Sequence, residues 1–125
     1  MSHKTDTPDT PDSLARLGAR LAEFAAEREW TQFHNPKNLA MALAGEAGEV
    51  IDHFRWLTPE QAASLDAATR DAVSLECADV LLFLIRLADQ LGIDLIAAAY
   101  RKMAINAERY PVDKSRGRAE KYDKL

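Results

Sequence analysis

The sequence predicts an all-α protein, a four-helix bundle-like arrangement with one short extra helix. Three observations carry that expectation. Apolar residues recur at helical spacing through most of the 125 residues, helix start and stop signals punctuate the chain, and no segment shows the alternation of a half-buried strand. The composition, 47% hydrophobic and 29% charged, fits one small globular domain.

Met1 to Pro11 is Thr, Asp, Pro and Ser without periodicity and is expected to be a disordered tail. The domain is expected over residues 12–111. Its first helix starts at Asp12 or Ser13 and runs toward Trp30, with Leu14, Leu17, Leu21 and Phe24 on one face. The segment Trp30 to Asn35 breaks the period and reads as a loop carrying rings. Asn35 and Pro36 then supply an N-cap and a first helical residue. The central helix they open is expected to reach Trp56 and Leu57, with Leu39, Leu43, Val50, Phe54 and Leu57 sharing a face. Thr58-Pro-Glu-Gln61 resembles a capping box and opens a short helical turn. A long helix from about Thr69 to Leu91 ends at Gly92. Asp94 caps a last helix, which Pro111 ends by Tyr110 because proline disfavours helical geometry in the residue before it. Residues 112–125 are charged, lack an apolar pattern and are expected to be a tail.

The helix from Thr69 to Leu91 is apolar nearly all round, since Leu75 and Leu82 lie opposite Val73, Val80 and Leu84. Such a helix requires cover on nearly all sides. A small monomer leaves one side wet, so a homodimer or dimer of dimers is expected.

The formal charge of −4 and a pI near 5.3 give no electrostatic basis for nucleic-acid binding. No run approaches the roughly 18 apolar residues of a membrane span, and no signal peptide is expected. A single cysteine, Cys77, excludes an intrachain disulfide and fits a reducing, cytoplasmic location. Beside Glu76 on the apolar side, it reads as a small buried thiol.

Against this pattern, Glu46 projects into the middle of the apolar face of the central helix, and Glu49 lies on its edge with His53 and Trp56. The next long helix repeats the arrangement: Glu76 sits inside an apolar sector, with Asp79 and Phe83 along its flank. An ionised carboxylate in an apolar interior is normally protonated, paired or metal-bound. Any one of these acids alone would read as a solvated surface charge. Two pairs at the same spacing point instead to a shared cation held by Glu46, Glu49, Glu76 and Asp79. A set of carboxylates without histidine or thiolate suits Mg²⁺, with Mn²⁺ as substitute, over Zn²⁺. Di-iron bundles need Glu-x-x-His, which neither helix has.

Mg²⁺ held by acids fits a nucleotide polyphosphate as ligand. Lys102, Asn106 and Arg109 form a polar, basic stripe that is either a solvated face or a phosphate clamp, Arg109 in bidentate geometry. Trp30, Phe33, His34 and Trp56 could stack on a base, each contact contributing roughly 1–3 kcal/mol. Trp30 and Phe33 read equally as a hydrophobic plug, and His34 as a polar loop residue. His53 is expected to support or pack beside the acids.

With these residues in place, the sequence resembles the all-α nucleoside triphosphate pyrophosphohydrolases of the MazG type. The E-x-x-E and E-x-x-D pattern is matched by Glu46, Glu49, Glu76 and Asp79. The segments Glu23 to Leu39, with its Trp30-Thr-Gln-Phe33-His34 loop and Asn38, and Lys102 to Pro111, with Asn106, Arg109 and Tyr110, resemble the dCTP pyrophosphatase branch. The similarity spans about Leu14 to Tyr122. It implies Mg²⁺-dependent hydrolysis of a nucleoside triphosphate, dCTP or a related or modified dNTP, between the α- and β-phosphates. Water would attack the α-phosphorus, oriented or deprotonated by Glu46 or Glu49. Trp30, Phe33, His34, Asn38, Trp56, Phe83, Lys102, Asn106, Arg109 and Tyr110 are the substrate-binding residues so implied. Leu21 stands in place of a histidine of that branch and Phe83 in place of a tyrosine, which bears on base and sugar selectivity. The rival readings are a sibling specificity, such as dUTP, and a helical module that binds nucleotide or protein without catalysis.

Overall fold

The computed structural model describes residues 13–125. The tail expected at residues 1–11 lies outside the described residues. Six helices follow in order: α1 Ser13–Glu27, α2 Pro36–Asp52, α3 Pro59–Ala62, α4 Ala67–Leu91, α5 Leu95–Arg109 and α6 Val112–Ser115. Turns of 3-10 helix cover Trp30–Phe33 and Tyr122–Lys124. There is no strand among the described residues. None of their helices is long and apolar enough to cross a membrane. The chain divides into two compact units, one ending at Gly92 and the other running from Ile93 to Leu125.

In the first unit the helix boundaries follow from local chemistry. The Asn38 backbone N–H donates to Asn35 Oδ1 at 2.9 Å, with Pro36 at the first helical position. Asn35 thereby satisfies one of the four N–H groups that a helix start leaves unpaired. Thr58 and Gln61 close both bonds of a capping box: Gln61 N–H to Thr58 Oγ1 at 3.2 Å, and Thr58 N–H to Gln61 Oε1 at 2.9 Å. Asp66 caps α4 through Thr69 N–H at 2.7 Å, so this helix opens two residues earlier than expected. The backbone hydrogen bond from Thr69 pulls the Asp66 carboxyl below its ordinary range. Gly92 ends α4 at φ 65°, a left-handed conformation that glycine adopts without strain.

The central helix stops at Asp52, short of the expected Leu57. Phe54 and Arg55 N–H both turn back to Ile51 O, and Leu57 N–H bonds Phe54 O. Further on, Pro59 requires Thr58 to be extended, at φ −72° and ψ 160°, so no helix runs through Thr58. Phe54 and Leu57 leave the helical face, and Trp56 stands 86% exposed.

The principal packing in this unit is α2 against α4, with α1 also laid on α4. Ala25, Leu39, Ile85 and Ala88 are buried. Where α1 meets α4, a Cβ built on Gly18 would lie 3.3 Å from Ile85 Cγ2, so glycine permits the close approach. Cys77 is exposed, contrary to the expected buried thiol: one residue beyond Glu76 is about 100° of rotation, which carries it out of the sector that faces α2. Leu75 and Leu81 are exposed as well, the former at 62%.

In the second unit Asp94 caps α5 through Ala97 N–H at 3.0 Å. Residues 112–125, expected to be an irregular tail, carry α6 and the second 3-10 turn. The two ends of this stretch are tied together: Tyr122 N–H donates to the Tyr110 hydroxyl at 3.2 Å, and the two rings meet edge to face at 6.1 Å.

Candidate active site

Three of the four acids converge. Oxygens of Glu46 and Glu49 on α2 and of Glu76 on α4 all lie within 4.8 Å of one another. The helical period explains the arrangement. Residues three apart on α2 share a face, and α4 crosses that face with Glu76 turned toward it. Glu46 and Glu76 are half-buried and Glu49 is exposed. Asp79, one turn along α4 from Glu76, is exposed and stands outside this oxygen cluster, but its charge acts on Glu46.

The electrostatics are those of crowded anions. Desolvation first, then the charges of Glu49 and Asp79, raises the Glu46 carboxyl above its ordinary value. Glu76 is raised by desolvation, by a hydrogen bond shared with Glu49 and by the charges of Glu49 and Glu46, with His53 acting in the opposite sense. His53 Nε2 lies 3.8 Å from Glu76 Oε1. One oxygen on each half-buried acid, Glu46 Oε2 and Glu76 Oε2, is buried with no hydrogen-bond partner among the described residues. Buried acceptors are rarely left so. Hard oxygen donors with unclaimed lone pairs, in a cluster of this radius, fit a divalent cation such as Mg²⁺.

The ring-bearing loop is built as a unit on α4. Trp30 meets Phe24 edge to face at 5.7 Å and His34 at 6.4 Å. Asn38 Nδ2 donates to Phe33 O at 3.1 Å and fixes the exit of the turn. Trp30 and Phe33 are exposed and His34 is half-buried. His34 Nδ1 accepts a hydrogen bond from Arg86 Nε at 3.3 Å, and Arg86 Nη1 bonds Asp89 Oδ2 at 2.9 Å. Arg86 is only 4% exposed. Sequence reasoning passed over it, although an arginine inside the apolar run Val80 to Leu87 was the available signal. Burial, and then the Arg86 charge, hold His34 below the ordinary imidazole range.

Phe83 is half-buried on α4, and Trp56 projects from the turns after α2. Lys102, Asn106, Arg109 and Tyr110 belong to the second unit. The first three are exposed on α5 and its end, while the Arg109 guanidinium lies 4.8 Å from the Tyr122 ring centroid.

The profile of the MazG-like family matches residues 42–125, which include all four acids. The chain belongs to this family. Proteins named dCTP pyrophosphatase 1 are similar over 118 residues, 93% of this chain and 68% of theirs: that of Bos taurus at 45% identity and that of Homo sapiens at 43%. A crystal structure of a pyrophosphatase from Archaeoglobus fulgidus superposes with a TM-score of 0.77 at 31% identity, covering 89% of this chain and 98% of that one. Membership gives the acid cluster a chemical context: this MazG-like chain is similar along nearly its whole length to proteins named as pyrophosphatases.

Proposed function

We propose that this MazG-like chain is a Mg²⁺-dependent nucleoside triphosphate pyrophosphohydrolase. On this reading it hydrolyses dCTP or a related or modified dNTP to the monophosphate and pyrophosphate, in nucleotide-pool house-cleaning in the cytoplasm. The observation that carries the reading is the convergence of Glu46, Glu49 and Glu76 with unpaired buried oxygens, in a chain 45% identical to dCTP pyrophosphatases.

Glu46, Glu49 and Glu76 would hold the cation, with Asp79 completing the set from the adjoining turn of α4. When bound, the ion supplies positive charge to the phosphate oxygens and acidifies a coordinated water. Glu49 is the exposed member of the cluster and can accept a proton from a water approaching the α-phosphorus; the deeper Glu46 fixes the geometry from below. Trp30 and His34 offer a wall for the base, with Phe33 and Trp56 as further exposed rings. Lys102, Asn106 and Arg109, on α5 of the second unit, form the basic stripe whose chemistry suits phosphate. The exposed apolar residues of α4, Leu75 and Leu81, support a homodimer or dimer of dimers.

A sibling specificity, for dUTP or another triphosphate, is the second reading. Leu21 and Phe83, expected near the nucleoside, offer no hydrogen-bonding group that would choose a base or sugar. Pyrophosphate release from a panel of nucleoside triphosphates, with Mg²⁺ and with chelator, tests the proposal. Mg²⁺-dependent release, fastest for dCTP or its analogues, is expected. Saturable binding without release would make the chain a binding module.

A further inference from the structure

The proposed function does not use Arg86, a buried cation in the C-terminal third of α4. Its environment is specific. The guanidinium reaches past Asp89, which takes Nη1 at 2.9 Å, and directs Nε at His34 Nδ1 at 3.3 Å. Arginine has only donors. The nitrogen it addresses must therefore be a bare acceptor, and the ring proton must sit on Nε2. That second nitrogen has no hydrogen-bond partner among the described residues. His34 also closes the Trp30–Phe33 turn, its own N–H bonded to Thr31 O at 3.2 Å. The ring is thus held at Nδ1 and at the backbone, and only Nε2–H is unspent.

We propose that Arg86 is a positioning residue that fixes His34 in the Nε2–H tautomer, so that the Trp30–His34 wall presents one N–H donor to an acceptor of the nucleotide base. The placement beside Trp30, 6.4 Å between ring centroids, assigns the donor to the base edge and not to the phosphates. Without Arg86 the ring is free to exchange tautomers and rotate. In its Nδ1–H tautomer it then offers an acceptor to an acceptor. The inference rests on the reading of this wall as the nucleotide site.

The experiment uses the full chain with ¹⁵N-labelled histidine, the His34 signals being assigned by their loss in His34→Gln. In the wild type, one His34 nitrogen is protonated, Nε2, across neutral pH; in Arg86→Met the ring populates both tautomers. The same variant raises KM for the triphosphate and the inhibition constant for deoxycytidine about tenfold, the value of one hydrogen bond. It leaves kcat and inhibition by inorganic pyrophosphate near wild type. Arg86→Met combined with His34→Gln is no worse than His34→Gln alone. Where Arg86→Met does not fold, Asp89→Ala, a substitution at a side chain 54% exposed, releases the guanidinium and shifts the same signals in the same direction. An unchanged His34 tautomer in these variants overturns the proposal, as does a loss that falls on pyrophosphate and spares deoxycytidine. A wild type that releases no pyrophosphate from any triphosphate instead defeats the enzymatic reading, and the tautomer measurement still reports on Arg86.

Discussion

Glu46 on α2 and Glu76 on α4 face each other, each with one carboxylate oxygen buried and without a hydrogen-bond partner among the described residues. Two helices that form the main packing of the first unit therefore meet partly through groups that repel when ionised. That pair sets the behaviour of the metal-free protein.

The first prediction concerns pH. Both carboxyls are raised above the ordinary value of 4.5, so the folded metal-free state keeps protons that the unfolded chain releases. Their contribution to stability is complete below that value and is lost as pH rises through the raised values, because the folded state binds more protons over that window. Thermal unfolding in chelator should show a Tm that declines as pH rises from about 4.5 upward. Mg²⁺ should restore it by an increment that grows with pH, as binding to the folded state alone requires. Glu76→Gln should flatten the metal-free decline. A Mg²⁺ increment independent of pH would contradict this account.

The second prediction separates chemistry from folding. Glu49 and Asp79 are exposed, so neither Glu49→Gln nor Asp79→Asn removes packing. Each should reduce pyrophosphate release to below about one hundredth of wild type, as loss of a metal ligand does. Circular dichroism should show helicity unchanged. Substantial activity in both variants would remove the acids from the site.

How much of this was legible in the sequence follows from range. Asn35, Thr58, Gly92 and Asp94 act on neighbours within a few residues, and each caps or stops a helix as its chemistry requires. Asp66 caps α4 by the same chemistry but is not among the expected caps, that helix being expected only from about Thr69. The acid pairs were legible because the helical period fixes which residues share a face. What escaped depended on contacts between distant residues. Arg86 and His34 are 52 positions apart, and nothing local says that a buried guanidinium needs that imidazole. The end of α2 at Asp52 was hidden because the apolar spacing of Phe54 and Leu57 continued to suggest helix. The order in residues 112–125 includes the pairing of Tyr110 with Tyr122 and the Arg109 guanidinium beside the Tyr122 ring, contacts that leave no periodic trace.

A third prediction tests the packing that holds the acids. Leu39 is 1% exposed near the start of α2. Leu39→Ala should cost about 2–5 kcal/mol, the transfer of the lost methyl groups plus a cavity that its neighbours only partly fill. Urea unfolding with an unchanged m-value is the measurement. Because the acid cluster depends on the register of α2 against α4, the variant should also weaken Mg²⁺ binding. A variant as stable as wild type would place the core elsewhere.

The last prediction concerns assembly. Leu75 is 62% exposed and Leu81 40%, on a helix that already packs on α2 and α1. Burying apolar area contributes about 25 cal/mol per Å², and two leucines left in water on one long helix forgo that contribution unless another surface covers them. Light scattering at micromolar concentration should therefore give at least twice the 13.9 kDa chain mass. Leu75→Lys should lower that mass, since a charged group at the centre of an interface has no partner to meet its desolvation cost. The same substitution is neutral for α4 itself, because lysine and leucine have similar helix propensity and the position is solvated within the chain. A loss of assembly with helicity retained is thus the expected pair of results. A wild-type mass equal to one chain would show instead that these leucines are ordinary exposed side chains.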